Sequence, residues 1–213
     1  MKTHSEVILV HGLWFGAWAM GSLDKKLRAR GFTVRRFDYA STAGGLPAHA
    51  AQLREFARTS QSDQLHFVGH SLGGLVTLKM LSEADASGKF PPGRVVLMGS
   101  PLDGSGVVRR SVKVPGAEKL LGEIRSALEQ GYEYLPGGRE TGMIAGSRSI
   151  GLGMLVGGAG KPGDGTVAVN ETRSKGLKEH IVLPVTHTGM LYSREAARQA
   201  ACFLKRGSFD KAM

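Results

Sequence analysis

A serine between glycines carries the clearest chemical signal in this chain. The stretch Gly69-His70-Ser71-Leu72-Gly73 follows a short apolar run and leads directly into a helical pattern. Between a strand and a helix, such a pattern is typical of a nucleophile elbow, a strained turn that raises the serine hydroxyl above a sheet. Glycines are needed on both sides because a Cβ there would clash with neighbouring backbone. The spacing therefore predicts Ser71 as a nucleophile.

A serine hydroxyl needs a histidine that takes its proton, and that histidine needs an acid that fixes its tautomer. Of the seven histidines, only His180 and His187 follow Ser71 by enough to lie at a later strand. His180 opens that predicted strand and His187 closes it. Since Ser71 lies at the carboxyl edge of the predicted sheet, His187 is the predicted base.

Three carboxylates compete for the role of the acid. Asp164, in Pro162-Gly163-Asp164-Gly165-Thr166-Val167, lies between the fifth and sixth predicted strands. An Asp between glycines is also an ordinary turn former, but the position between the fifth and sixth predicted strands favours Asp164 as the acid. Asp103, just past the fourth predicted strand, is the competitor, and Glu171 ranks third.

Two backbone amides are predicted to stabilise an oxyanion. The helix after Ser71 points its N-terminal N–H groups at the site, which makes the Leu72 amide one donor. The loop Val10-His11-Gly12-Leu13-Trp14 follows the first predicted strand, and its Leu13 amide is the second expected donor. Trp14 and Phe15 are predicted to form a wall of the substrate pocket.

Short apolar runs alternate with longer amphipathic segments along the chain. The predicted strands are Val7 to His11, Thr33 to Tyr39, Leu65 to His70, Arg94 to Gly99, Thr141 to Ser147 and His180 to Val185. The predicted helices are Trp18 to Arg30, Pro47 to Ser60, Leu72 to Ala86, Ala117 to Gln130 and Arg194 to Arg206. This alternation predicts an α/β fold with about six mostly parallel strands flanked by helices, and a site at the carboxyl ends of the strands.

Composition is that of a globular protein. The chain has 213 residues, 41% of them hydrophobic, which fits one domain over residues 1–213. Its single cysteine, Cys202, can form no disulfide within the chain. No apolar run reaches the roughly 18 residues of a membrane span, and Met1 to Glu6 lacks the pattern of a signal peptide. We therefore expect a cytoplasmic protein.

The net charge of +10 raises the question of an anionic partner. The basic residues come in pairs rather than in long runs, and no aromatic residues alternate with them as in RNA-binding modules. The pairs are Lys25-Lys26, Arg35-Arg36, Arg109-Arg110 and Lys205-Arg206. We interpret them as a solvated basic surface and expect no nucleic-acid partner.

Taken together, these motifs resemble the α/β-hydrolase superfamily. The resemblance rests on His11-Gly12, on the elbow around Ser71, on the Gly163-Asp164-Gly165 turn and on the late His187, and it covers nearly the whole chain. Within the superfamily the chain is most similar to small bacterial lipase-like and esterase-like members. It is a reduced version, with no room for the antiparallel hairpin that usually begins the sheet.

The resemblance implies hydrolysis of carboxylic esters through an acyl-enzyme. Ser71 would attack, His187 would act as base and then acid, and Asp164 would orient His187. The amides of Leu13 and Leu72 would hold the oxyanion, and no metal or organic cofactor is required. A small cap is expected over about residues 102–139, with the single helix Ala117 to Gln130.

Two alternatives to a small-ester or lipid-ester hydrolase stay open. The same triad cleaves thioesters and esters on carrier arms, and a basic enzyme would attract an acidic acyl carrier protein. The second alternative is a hydrolase-fold protein that only binds. A fluorophosphonate probe distinguishes it, because a pure binder would not be labelled at Ser71.

Overall fold

Six parallel strands form one sheet in this chain. The computed structural model describes residues 4–84, 90–111, 121–132, 135, 138–150 and 162–210. The strands are β1 (Ser5–Val10), β2 (Thr33–Phe37), β3 (Gln64–His70), β4 (Val95–Met98), β5 (Thr141–Gly146) and β6 (Glu179–Leu183). Their order in the sheet is β2-β1-β3-β4-β5-β6, and every pairing is parallel. The predicted fold class and all six predicted strands are confirmed, with ends that differ by one or two residues.

The four central strands, β1, β3, β4 and β5, are buried along almost their whole length because helices cover both faces of the sheet. Successive residues of a strand point to opposite faces. Ile8 and Val10 accordingly belong to one buried cluster, together with Phe67 from β3. Val7 and Leu9 belong to a second buried cluster on the other face. Two cores therefore hold the central strands in place.

The helices of the described ranges lie on these two cores, most of them between successive strands and the last two after β6. They are α1 (Gly21–Arg28), α2 (Leu46–Arg58), α3 (Leu72–Ala84), α4 (Gly106–Ser111), α5 (Arg125–Gln130), α6 (Gly189–Tyr192) and α7 (Arg194–Arg206). Short 3-10 helices cover Ala17–Met20, Gly122–Ile124 and Asn170–Thr172. Across the ranges that the structure describes, no helix has the length and apolar character needed to cross a membrane.

The segment between β4 and β5 differs from the prediction. It contains α4 in addition to the expected helix before Gln130, so the expectation of a single helix was wrong. Six residues make fewer than two helical turns, which is too short to display a periodic pattern. Of the predicted helix, residues 122–130 form the 3-10 helix and α5, and residues 117–120 lie outside the described ranges. The cap over residues 102–139 stays a prediction.

Candidate active site

Ser71 occupies the sharp turn between β3 and α3. Its φ is +53°, in the left-handed region that residues other than glycine rarely adopt. The Ser71 amide donates a hydrogen bond to the Met98 carbonyl at 2.9 Å, and the Ser71 carbonyl accepts one from the Gly74 amide at 3.0 Å. These bonds hold a strained backbone in place, as the predicted elbow requires.

The glycines around Ser71 are required because backbone segments pack closely against each other there. A Cβ on Gly73 would lie 2.3 Å from the Val10 carbonyl oxygen, and one on Gly69 would lie 2.6 Å from the Gly74 backbone. No flexible side chain is present at either contact to move aside. The first turn of α3 therefore lies directly against the end of β1, which brings Ser71 to the loop that follows β1.

Asp164 and His187 form a buried pair. The Nδ1 atom of His187 lies 2.7 Å from Oδ2 of Asp164. The other carboxylate oxygen, Oδ1, accepts hydrogen bonds from the amides of Thr166 at 2.9 Å and Val167 at 2.8 Å. Burial by itself would raise the pKa of the Asp164 carboxyl, but the charge of His187 and these three hydrogen bonds lower the pKa below its ordinary value. Asp164 is therefore a carboxylate, and it leaves Nε2 of His187 as the nitrogen that can accept a proton.

The structure brings neither competing acid to His187. The side chain of Asp103 is exposed. Glu171 is buried, but its carboxylate accepts hydrogen bonds from the amides of Gly106 and Ala168. The other candidate base, His180, lies at the amino end of β6 with Nε2 2.8 Å from the Thr172 hydroxyl. The geometry thus brings together only the preferred pair, Asp164 and His187.

The loop after β1 is held by its own contacts. The buried His11 ring places Nδ1 2.9 Å from the Gly12 carbonyl and stacks on Tyr39, whose hydroxyl donates to the His11 carbonyl at 2.9 Å. The Trp14 amide donates to the Ser41 hydroxyl at 3.0 Å, and Trp14 has a φ of +62°. The loop is therefore a fixed feature beside Ser71.

The predicted oxyanion donors lie near Ser71, one in the loop after β1 and one in the next residue of the chain. Leu13 lines the same cavity as Ser71 and His187. Leu72 is the first residue of α3, where backbone N–H groups have no partner within the helix. Leu72 is fully buried in the core, and the role of its amide as an oxyanion donor stays a prediction.

A cavity of about 460 Å³ opens above Ser71. Trp14 and Phe15 line it, as predicted, and Trp14 is half exposed. Other apolar residues that were not predicted also line it: Pro101, Val107, Val108, Leu121, Leu128, Ile150 and Val167. Threonines at positions 186 and 188 complete the wall near His187. A mostly apolar cavity with few polar groups suits an uncharged organic ligand.

His70 is a further residue of the site that the sequence analysis missed. Its Nε2 lies 3.0 Å from the His187 carbonyl oxygen, so this nitrogen carries a proton and donates it. Burial, followed by the charge of His187, lowers the pKa of His70 to about 3. His70 is therefore neutral and holds the backbone of His187. No signal identified this role, because it depends on a contact across 117 residues.

The site shows no arrangement that suits a metal ion. Among the residues with described positions, no three or more His, Cys, Asp or Glu side chains gather as metal ligands. Ser71 and His187 line the cavity, and the carboxylate of Asp164 contacts the imidazole of His187.

Comparison with solved structures gives many proteins of the same fold. The lipase BlEst2 from Bacillus licheniformis, in its mature form, has a TM-score of 0.76 and 16% identity, over 96% of this chain and 92% of that one. A metagenomic carboxyl esterase, MGS0156, has a TM-score of 0.68 and 16% identity, over 88% and 65% of the two chains. The pyrethroid hydrolase PytH has a TM-score of 0.61 and 14% identity, over 95% and 98%. At these identities the likeness concerns the fold.

The sequence itself matches a family model over residues 7–162, the model of the Alpha/beta hydrolase family. That range contains Ser71 and the loop after β1, whereas Asp164 and His187 lie beyond it. No curated protein matches the chain. Because the family model matches well over half of the sequence and the sheet has the corresponding parallel topology, the chain belongs to the Alpha/beta hydrolase family.

Proposed function

We propose that this protein is a serine hydrolase that cleaves carboxylic esters through an acyl-enzyme. The observation that carries the proposal is the 2.7 Å contact between His187 Nδ1 and Asp164 Oδ2 at the wall of the cavity that Ser71 also lines. A histidine fixed in this way has one defined tautomer and a buried carboxylate that stabilises its charged form. That is what activation of a serine hydroxyl requires.

Acylation begins with attack of the Ser71 hydroxyl oxygen on the ester carbonyl carbon. Nε2 of His187 takes the hydroxyl proton, and Asp164 stabilises the resulting imidazolium. The carbonyl oxygen becomes an oxyanion, to which the amides of Leu13 and Leu72 donate hydrogen bonds. When the tetrahedral intermediate collapses, the bond to the alcohol oxygen breaks, and His187 returns its proton to that oxygen.

Deacylation repeats the sequence with water. His187 takes a proton from a water molecule, and the oxygen of that water attacks the acyl carbon on Ser71. The second tetrahedral intermediate uses the same two amides. Its collapse releases the carboxylic acid and returns the proton from His187 to the Ser71 oxygen, which restores the free enzyme.

The apolar lining of the cavity favours an uncharged, apolar acyl group as the part of the substrate that binds there. Valines from α4, Phe15 and Leu128 line it, and the described lining residues include no Lys, Arg, Asp or Glu. Burying a charge among such side chains would cost several kcal/mol without a partner, so a charged acyl group would be rejected. The similar solved structures include a lipase, a carboxyl esterase and a pyrethroid hydrolase, which supports the same bond type.

The proposal is tested with p-nitrophenyl esters from acetate to palmitate, assayed with the wild type, with Ser71→Ala and with Ser60→Ala as a matched control. Ser60 bonds Glu6 and Ser62 near the amino edge of the sheet, away from the cavity. We expect Ser71→Ala to lose at least about a thousandfold in kcat, whereas Ser60→Ala stays active.

A fluorophosphonate probe provides a second readout, because it should label the wild type and Ser60→Ala at Ser71 but not label Ser71→Ala. Wild-type protein that neither hydrolyses any ester of the series nor takes the label would contradict the proposal. Hydrolysis restricted to thioesters on an acyl carrier protein, falling steeply with salt, would replace the ester with a carrier-bound substrate.

A further inference from the structure

A buried glutamate outside the triad uses both of its carboxylate oxygens to bind backbone. Oε1 of Glu171 accepts a hydrogen bond from the Gly106 amide at 2.7 Å. Oε2 accepts one from the Ala168 amide at 2.9 Å. The residue is 7% exposed, and in the mechanism above it has no role. Burying a carboxylate costs free energy unless its oxygens accept hydrogen bonds, so the two bonds are needed to keep Glu171 in this place.

The two amides belong to two different walls of the cavity. Gly106 is the first residue of α4, whose next residues, Val107 and Val108, line the cavity. Ala168 ends the turn that begins at Asp164 and is closed by a bridge between Gly163 and Ala168. One side chain therefore connects the wall built by α4 to the turn that carries the candidate acid.

The backbone of Glu171 and an adjacent arginine extend the same connection. The Glu171 carbonyl accepts a hydrogen bond from the Asp103 amide at 3.0 Å, on the loop that leads from β4 to α4. The guanidinium of Arg109, also on α4, lies 3.9 Å from Oε1. Glu171, which precedes β6, therefore contacts both the loop that leads into α4, at Asp103, and α4 itself, at Gly106 and Arg109.

The absence of a side chain at Gly106 leaves room for the carboxylate of Glu171. A Cβ on Gly106 would lie 2.7 Å from Oε1 of Glu171, which is closer than real Cβ atoms come to any neighbour. The amide of residue 106 reaches Oε1 only because the residue has no side chain. The contact is therefore testable from both of its partners.

We propose that Glu171 is a positioning residue that fixes α4 over the cavity and thereby sets the length of the acyl group that the enzyme accepts. The inference rests on the proposed ester hydrolysis, because it concerns the same cavity. It goes beyond that function by assigning the selection of acyl length to a contact that touches neither substrate nor triad.

The position of α4 depends on Glu171 more strongly than the position of Asp164, the candidate acid, does. Asp164 has its own support, since its amide donates to the Val167 carbonyl at 3.0 Å and its carbonyl accepts from the His187 amide at 2.9 Å. Helix α4 has only six residues, and a helix that short does not hold its place without external contacts. Arg109 holds its carboxyl half through a hydrogen bond to the Glu129 carbonyl at 2.8 Å, whereas Glu171 holds the amide of its first residue, directly before the two valines. Loss of Glu171 should therefore displace Val107 and Val108 before it displaces Asp164.

The test compares Glu171→Ala, Glu171→Gln, Gly106→Ala and the double variant Glu171→Ala/Gly106→Ala on p-nitrophenyl acetate and octanoate. Glu179→Ala is the matched control, because Glu179 also accepts a backbone hydrogen bond, from Phe209, but lies at the amino end of β6. A second readout is hydrogen exchange of peptides that contain Gly106 and Ala168, which does not depend on activity.

We expect Glu171→Ala to reduce kcat/KM for octanoate by about tenfold or more, as for a lost hydrogen bond to a charged group, and acetate by no more than about twofold. Glu171→Gln, which keeps one acceptor oxygen, should be intermediate. Gly106→Ala should shift the profile in the wild type but add little in the Glu171→Ala background, since the oxygen that it would meet is gone. Exchange at both amides should accelerate in Glu171→Ala but not in Glu179→Ala.

Two results would overturn the inference: an unchanged ratio of octanoate to acetate activity in Glu171→Ala, or an equal loss on both esters with unchanged exchange at Gly106. The first would mean that α4 stays in place without Glu171, and the second that Glu171 acts on the triad. Failure of the proposed function has a different signature, since a wild type without esterase activity would still show the exchange difference.

Discussion

Asp164 and His187 are joined twice, once through their side chains and once through their backbones. Oδ2 of Asp164 lies 2.7 Å from His187 Nδ1, and the His187 amide donates to the Asp164 carbonyl at 2.9 Å. The second bond holds the two backbones next to each other. The imidazole ring and the carboxylate are therefore already close, and few side-chain conformations are compatible with their contact. His70 adds a third fixed point through the His187 carbonyl. The orientation of the imidazole is thus determined from three directions.

Replacement of Asp164 by Asn should test this arrangement with little change in shape. The Asn side chain would offer an N–H or a carbonyl to Nδ1, and the charge that stabilises the imidazolium would be lost. We expect kcat for a p-nitrophenyl ester to fall by about a thousandfold to ten-thousandfold, with a much smaller change in KM. Steady-state kinetics on purified protein measures both constants.

Asp103→Asn is the control for that substitution. Asp103 is the competing acid of the sequence analysis, its side chain is exposed, and it follows β4 rather than β5. Activity within about twofold of the wild type is expected, the size of an ordinary surface substitution. If Asp103→Asn were the more damaging of the two changes, Asp164 would not be the acid.

The contact between α3 and β1 makes a second prediction, on stability. In Gly73→Ala the new Cβ would meet the carbonyl oxygens of Val10 at 2.3 Å and His11 at 2.4 Å, and both are backbone atoms. We expect a loss of at least about 3 kcal/mol in the free energy of unfolding, at the upper end for overpacking. Urea unfolding followed by circular dichroism measures it.

Gly21→Ala is the matched control for Gly73→Ala. Gly21 has helical backbone angles, and its Cβ would come no nearer than 3.4 Å to the end of the Arg36 side chain. Alanine in a helix is favoured over glycine by about 1 kcal/mol, so this variant should be neutral or slightly more stable. An equal loss of unfolding free energy in both variants would show that the contact of the Gly73 Cβ position with the β1 backbone is not the cause.

The central strands, the elbow and the pairing of Asp164 with His187 were predictable because their signals are local or depend on the order of the strands. A short apolar run such as Val7 to Val10 favours a strand buried on both faces, and the elbow around Ser71 needs its glycines within four residues. Asp164 was preferred over Asp103 because it lies between the fifth and sixth predicted strands. The structure brings Asp164 to His187 because β5 and β6 are neighbours, so the segments that follow them meet at one edge.

Helix α4 and the roles of His70 and Glu171 were not predictable from the sequence. Each depends on contacts between residues that are far apart in the chain, as in the 65 residues between Gly106 and Glu171. Glu171 was weighed only as a candidate acid, since nothing in its local sequence indicates a backbone partner. Tertiary contacts of this kind leave no periodic pattern.

The position of α4 leads to a third prediction, on substrate length. Val107 is partly buried and lines the cavity of about 460 Å³. In Val107→Trp the larger side chain should occupy part of this space, so the preferred p-nitrophenyl ester should shift to shorter acyl chains while acetate is still hydrolysed. Val182→Trp, on the partly exposed β6, is the control and should keep the wild-type profile. An unchanged profile in Val107→Trp would place the acyl group elsewhere.

The buried histidines of β3 lead to the last prediction, on pH. His66 accepts a hydrogen bond from the Arg94 amide at 2.9 Å through Nδ1. Burial, together with the charges of Arg94 and Arg139, lowers the pKa of His66 from 6.5 to about 4. Between these two pH values the unfolded chain binds a proton that the folded protein does not. The free energy of unfolding should therefore decrease as the pH falls from 6.5 to 4.

His66→Asn isolates this contribution, because an Asn oxygen can accept the same hydrogen bond from the Arg94 amide but cannot titrate. The variant should lose up to about 3 kcal/mol of the decrease that the wild type shows over this range. His70, with a pKa of about 3, keeps a similar dependence in both proteins and so cancels in the comparison. Urea unfolding at a series of pH values measures the two slopes. Equal slopes would show that His66 takes up its proton in the folded protein as readily as in the unfolded chain.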